Sequence, residues 1–395
     1  EILSRLKNNA LPAMMKLQQF IQELDSKKEV KMKHPQFQVE KKLFFKHQIA
    51  EIPSENLALK EGEILVKIEQ FAYTANNITY AATGDIIRYW EFFPPVGKQA
   101  EGMGVIPVWG FAKVVETKTD EIPLGDRIYG YFPPASHLKM KPIKVQDQRF
   151  FEGAAHRATL PMGYNLYRRV SNEPGYTNEF DRERALLFPL YLTSFCLWDS
   201  LQNNNWHSAE QILVLSASSK TSIGLGYALQ ADANAPKTIG ITSARNLTTV
   251  QKLTLWDSVL TYDDLHQLDT TKPTVIVDMS GNNEVLAELH QLLGDNMHFT
   301  LKVGLTHWAK TNPNDGIINE RSKFFFAPSH IEKRFKDWGP ALFDEKTNAF
   351  MLSAAAKTRE WLSFNEINGL DALAKVHPEV CNGSRSPKEG IIVTL

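Results

Sequence analysis

Residues 211–230, QILVLSASSKTSIGLGYALQ, constrain this chain more than any other stretch. Ile212 to Leu215 read as a buried strand, a run of small hydroxyl residues follows, and a helix is predicted to open near Thr221. A strand–turn–helix unit of this kind aims backbone N–H groups and the positive end of a helix at one point, which suits a pyrophosphate. Dinucleotide folds place three spaced glycines in that turn. Here those positions are Ser216, Ser219 and Ser222, with Ser218, Lys220 and Thr221 between them. Serine keeps the turn small and adds hydroxyl donors, and Lys220 adds a positive charge. The element predicts nucleotide binding with altered contacts.

The flanking pattern fits that reading. Between residues 184 and 305, apolar strand candidates at 212–215, 238–242, 258–261, 275–279 and 299–303 are separated by helical stretches at 221–231, 247–255 and 283–293. Apolar strands alternating with helices indicate a parallel sheet covered on both faces. Residues 36–145 differ: short alternating runs at 38–45, 63–71, 110–116 and 127–132 sit between Gly, Pro and Asn turns, as in a mostly β domain. Residues 1–30 read as amphipathic helix, broken at Pro12, for packing or dimer contact. The ending, GIIVTL, is strand-like and is expected to rejoin the first domain. A chain of 395 residues suits this two-domain plan.

Composition narrows the function. A formal net charge of −1 offers no general attraction to nucleic acid or acidic membranes. No run approaches the length of a membrane span. Cys196 and Cys381 are too few for a disulfide framework or a cysteine-rich zinc site, and they read as reduced thiols of a cytoplasmic protein.

The second strand of the parallel sheet ends in GITSARN. An acidic residue at this point would bind the ribose 2′-hydroxyl of NAD. Ser243 and Arg245 stand there instead, and a hydroxyl with a guanidinium suits a 2′-phosphate, so NADP(H) is the expected cofactor. A triphosphatase loop would need glycine at 214 and 219, which are Val214 and Ser219. No G-x-S-x-G elbow marks a hydrolase.

The order of pieces, GFAKVVE and GDRIYGY, then the serine turn, SVLTYDD, VIVDMSGN and LKVG, resembles the medium-chain dehydrogenase/reductase superfamily, nearest its zinc-free quinone and enoyl reductase branch. TANNITYA, HRATLP, SASSKTS and GLTHW are similar to a bacterial and fungal offshoot of unknown function. The resemblance implies an α/β chain with a GroES-like β-rich domain and a Rossmann-type doubly wound parallel sheet. The expected boundaries are 1–30 for the helical segment, 31–170 for the first part of the GroES-like domain, 171–310 for the Rossmann domain, and 311–395 for the return. A homodimer is implied too. So is the absence of catalytic zinc: Ala75 stands about where the superfamily's cysteine would be, and Trp109–Gly110 replaces His–Glu.

Carried over by resemblance, Tyr262 packs near the 2′-phosphate, Thr193 lies near the nicotinamide, and Ser280 and Gly281 flank its ribose. Gly304 follows the last core strand. Tyr73, Asn76, Asn77 and Tyr80 occupy the stretch that lines the cleft in quinone reductases. Tyr73 and Asn77 are the catalytic candidates there, with His307, because ligands of open α/β sheets sit beyond the carboxyl ends of the strands. Asn76, Tyr131, His137, His156, Arg157, Tyr164, Asn165 and Trp308 are the candidate substrate contacts. The expected activity is NADPH-dependent, zinc-independent reduction of a carbonyl, enone or quinone. The alternative is a non-catalytic NADP(H)-binding redox sensor or partner-binding protein.

Overall fold

A computed structural model describes residues 34–303 and 316–395. The expected helix at 1–30, with Gly304, His307 and Trp308, lies outside the described residues.

The single strand expected at 38–45 is instead a hairpin. Pro35–Glu40 turns at Lys41–Lys42 and pairs antiparallel with Leu43–Glu51. The larger antiparallel sheet is built on β1 (Ile64–Tyr73), which leads into helix α1 (Ala75–Ala82). It continues through β2 (Val108–Thr117) and β3 (Arg127–Phe132). One core fills this lobe, and it includes Val66, Ile68, Val108, Ile128 and Tyr131, all 1% exposed or less.

Helix α2 (Asp181–Asn203) then crosses to the second lobe, tied to β3 by the Arg127–Asp181 pair at 2.6 Å. The second lobe is a six-stranded parallel sheet. Its chain order is β4 (Gln211–Leu215), α3 (Lys220–Gln230), β5 (Lys237–Thr242), β6 (Ser258–Thr261), β7 (Thr274–Asp278), α4 (Asn283–Leu293), β8 (Met297–Lys302) and β9 (Ser322–Phe324). Its spatial order is β6-β5-β4-β7-β8-β9. The sheet starts at β4 and runs outward in both directions, so a switch point opens at the carboxyl ends of β4 and its neighbours. Every residue of β4 is buried because helices cover both faces. Gly224 lets α3 approach α2: a Cβ there would stand 2.6 Å from both Ser194 and Tyr191.

The boundary expected at 311 moves. β9 pairs with β8 and therefore belongs to the parallel sheet. Helices α5 (Ala327–Trp338) and α6 (Pro340–Thr358) follow, and Asp199 of α2 holds α5 through Arg334 and His330 at 2.5 Å each. The return comes at β10 (Ser363–Asn368), helix α7 (Gly369–Cys381) and β11 (Glu389–Thr394). β10 and β11 are parallel, and β11 pairs antiparallel with β1, so the chain end closes the first sheet. Among the described residues no helix is long and apolar enough to cross a membrane.

Candidate functional site

A cleft of about 650 Å³ opens where the carboxyl ends of β4, β5 and β7 face the end of β1, helix α1 and residues 383–389. Its two ends differ in chemistry.

At the sheet end, Ser216 takes a left-handed conformation, φ +57°, which is the conformation glycine serves in such turns. Its backbone N–H donates to the Tyr262 hydroxyl at 3.0 Å. Ser219 is the N-cap of α3: its Oγ accepts from the Ser222 N–H at 3.1 Å and lies 2.9 Å from the Ser222 hydroxyl. The Ser218 hydroxyl accepts from the Asn246 amide at 3.1 Å. The serines therefore hold the shape of the turn. The backbone N–H groups of Lys220 and Thr221, in the first turn of α3, have no partner among the described residues and line the cleft.

Lys220 is not the free phosphate cation that the sequence suggested. Its ammonium donates to the backbone carbonyls of Pro387 and Glu389 at 2.8 Å each, which ties the turn to the segment entering β11. Burial lowers its pKa to about 8, against an opposing pull from Glu389. Arg245 is exposed, lines the cleft beside Ser243, and makes no hydrogen bond or ion pair among the described residues. Asp278 ends β7 inside the core. One of its carboxylate oxygens accepts from Ser280 N, Ser280 Oγ and Gly281 N at 2.8, 2.7 and 3.1 Å, so it shapes the loop assigned to the ribose. Thr193 lines the cleft, and its hydroxyl donates to Pro189 O within α2.

At the α1 end the walls are aromatic. Asn76, Tyr80, Tyr89 and Tyr164 line the cleft. Trp109 Nε1 donates to the Tyr80 hydroxyl at 3.1 Å. Indole only donates, so the proton of Tyr80 does not go to Trp109; the hydroxyl has a second side-chain hydrogen bond, with Asn76. Tyr89 and Tyr164 share one hydrogen bond at 2.8 Å, which leaves a second phenol proton unspent between them. Burial pushes all three phenols upward, so they are neutral donors at ordinary pH.

Several residues chosen from sequence are spent elsewhere. The Tyr73 ring reaches the cleft, but its hydroxyl lies 2.9 Å from His377 Nδ1. His377 Nε2 faces the Phe44 carbonyl at 2.6 Å, and burial lowers this histidine to about 4. A neutral ring that donates through Nε2 accepts at Nδ1, so the proton of Tyr73 goes to His377. Asn77 completes the capping box of α1. It accepts from Thr74 N at 2.7 Å and donates to Pro107 O at 2.8 Å, away from the cleft. Tyr131 is fully buried behind the aromatic wall, and its hydroxyl has no partner among the described residues. Arg157 and Asn165 bind one another in the core. His137, His156 and Arg157 border a different, smaller cavity.

Tyr89, Trp109, Asn246 and Arg385 are cleft or wall residues that the sequence did not single out for the site, while Tyr80, named there only within the cleft-lining stretch, does line the cleft. Tyr80 carried a signal: it lies four residues after Asn76, on the same face of α1. Arg385 carried none, because it reaches the cleft only when the chain end folds back on β1.

A family model described as "Protein of unknown function (DUF2855)" matches residues 71–386. No curated protein matches the chain. Among solved structures, CurA from Vibrio vulnificus in complex with NADPH is similar at 12% identity and a TM-score of 0.56, covering 88% of this chain and 94% of that one. A mutant form of the enoyl thioester reductase from Candida tropicalis aligns at 12% identity and a TM-score of 0.53, over 92% of this chain and 100% of that one. A quinone oxidoreductase from Pseudomonas syringae pv. Tomato DC3000 aligns at 13% identity and a TM-score of 0.53, over 91% and 99%. These likenesses show that the chain shares its fold with those proteins.

Proposed function

Since the chain belongs to the DUF2855 family, whose function is unknown, its activity has to be read from its own cleft, and we propose NADPH-dependent, zinc-independent reduction of a carbonyl, enone or quinone. One observation carries the reading. A single cleft joins an exposed Arg245 and helix N–H groups, all without a partner among the described residues, at one end to neutral phenols at the other, where the Tyr89–Tyr164 pair has one proton to spare. NADPH bound in the similar CurA fold supports the choice of cofactor.

The residues fit the cofactor's charges. The N–H groups of Lys220 and Thr221 at the positive end of α3 would hold the diphosphate. Ser243 and Arg245 would hold the 2′-phosphate. Ser280 and Gly281 are set by Asp278 to meet a ribose, and Thr193 stands on the α2 wall. NADPH supplies a hydride when bound. For its part, the chain orients the acceptor between the tyrosine rings and donates a hydrogen bond to the oxygen that gains charge. Tyr80 is our choice of donor, because Trp109 donates to its oxygen and its other side-chain hydrogen bond is to Asn76, itself a cleft residue that an acceptor would displace. The Tyr89–Tyr164 pair is the second donor and relay.

Two measurements test this. NADPH should raise the melting temperature of the full chain and NADH should not, since only a ligand of the native state stabilises it. NADPH oxidation should then proceed with at least one of a panel of quinones, enones and aldehydes. No shift with either nucleotide at millimolar concentration rejects the cofactor assignment. A shift without turnover on any acceptor moves the protein to the redox-sensor reading.

A further inference from the structure

Between helix α7 and strand β11 the chain crosses the cleft, and Gly383, Arg385, Ser386, Pro387 and Glu389 line it there. Little backbone pairing orders this stretch. Ser384 N donates to Glu379 O at 3.2 Å, Glu389 N to Ser386 O at 3.1 Å, and Ser363 N of β10 reaches Lys388 O at 2.9 Å. Side chains supply the rest. Arg385 donates to the Glu379 carboxylate behind it and to the Glu389 carboxylate ahead of it, at 2.7 Å each. The Lys220 ammonium holds the Pro387 and Glu389 carbonyls. Glu389 is therefore gripped twice, through its carboxylate by Arg385 and through its carbonyl by Lys220.

The register shows what this grip joins. β11 runs antiparallel to β1, with Ile391 opposite Tyr73. Two residues back along β11 is Glu389, and two residues beyond Tyr73 is Ala75, the first residue of α1. Glu389 thus lies toward the start of the helix that carries Asn76 and Tyr80, and Thr74, Ala75 and Glu389 line the same cleft. Lys220 is itself the first residue of α3, whose N–H groups the proposed function assigns to the diphosphate. One side chain links the two ends of the cleft.

Burial disfavours the Lys220 ammonium, with Glu389 pulling the other way. Anionic groups at the first turn of α3 would add to the pull of Glu389 and hold the proton on. An ionised donor makes hydrogen bonds roughly twice as strong as a neutral one, so bound phosphates tighten the grip on both carbonyls. We propose that Lys220 is a positioning residue which, given the nucleotide assignment above, locks residues 383–389 in place when the cofactor's phosphates bind, so that the acceptor wall is firmest in the nucleotide-bound chain.

Hydrogen exchange of the amides at 384–389, followed by mass spectrometry on the full chain, tests this. Saturating NADP+ should slow exchange there at least about threefold, as stronger bonds oppose local opening. Adenosine 2′,5′-bisphosphate places a phosphate at the α3 turn without a nicotinamide to shield the wall, and it should protect the same amides in the unaltered protein. Lys220→Met should speed exchange of the nucleotide-free chain and lose most of the protection by either ligand at saturation. Lys220→Arg keeps the donors and should restore it. Faster exchange on binding, protection by NADP+ but not by the bisphosphate, or equal protection in Lys220→Met would each overturn the proposal. The NADPH melting shift judges the nucleotide reading separately. A shift without protection at 384–389 rejects the lock and leaves that reading standing, whereas no shift rejects the reading and the lock with it.

Discussion

The two ends of the cleft treat their polar atoms in opposite ways. At the serine turn, side chains bind one another: Ser219 caps Ser222, Ser218 takes Asn246, and Lys220 grips the chain end through Pro387 and Glu389. What has no partner among the described residues is the backbone N–H of Lys220 and Thr221 and the Arg245 guanidinium. At the tyrosine end the rings pack on one another, with Tyr80 and Tyr89 centroids 4.6 Å apart, Tyr80 bonds the cleft residue Asn76, and the Tyr89–Tyr164 pair has one proton to spare. The hydroxyls of the turn act as scaffold, and those of the wall face the cleft as neutral phenols. Residue type alone does not separate these roles; hydrogen-bond partners do.

The sharpest way to break this contrast is to remove one phenol from each side of the wall. Tyr80→Phe should lower kcat roughly 100-fold, the usual cost of a lost transition-state donor, with NADPH affinity unchanged. Tyr73→Phe should leave kcat within about twofold. It should cost about 1–3 kcal/mol of stability in denaturant melts, because His377 Nδ1 loses its buried donor. Equal kinetic losses for the two variants would erase the distinction between spent and unspent protons.

Next in size is Arg245→Ala, which should weaken NADPH roughly 10- to 100-fold in calorimetry, the value of charge-assisted bonds to a phosphate, and spare NADH. Loss of both nucleotides alike would reject the 2′-phosphate role.

The smallest effect follows pH. Lys220 titrates near 8 in the folded chain. Its charge beside the diphosphate site is present below that pH and lost above it, so NADPH affinity should fall a few-fold as pH rises from about 7 to 9. Stability moves the other way. A lysine whose pKa is depressed on folding penalises the charged folded state, and that penalty is relieved between about 8 and the unfolded value near 10.4. Lys220→Met should abolish both trends, and a profile identical to the wild type would assign the titration to another group.

Much of the fold was legible because its causes are local. The apolar run at 212–215 and the hydroxyl turn place β4 and the start of α3 within a residue or two of the observed bounds. The turn at Lys41–Lys42 was missed because apolar residues on both sides mask a break set by hairpin pairing. β9 was missed because three residues carry no periodicity, and only pairing with β8 makes them a strand. In the site, Ser243 and Arg245 were readable from the end of one strand. The diversion of Asn77 and Tyr73 was not, since their partners, Pro107 and His377, are 30 and 304 residues away along the chain.

The sequence by itself determined the parallel sheet, the hydroxyl-rich turn between β4 and α3, and that Ser243 and Arg245 rather than a carboxylate follow β5. These follow from residue type and short-range spacing. Only the tertiary structure decided that Lys220 binds the chain end, that the Tyr73 hydroxyl is spent on His377 while that of Tyr80 bonds the cleft residue Asn76, and that His137, His156 and Arg157 border another cavity. Each of those outcomes depends on which distant backbone or side-chain group satisfies a polar atom first, and that competition is settled by packing.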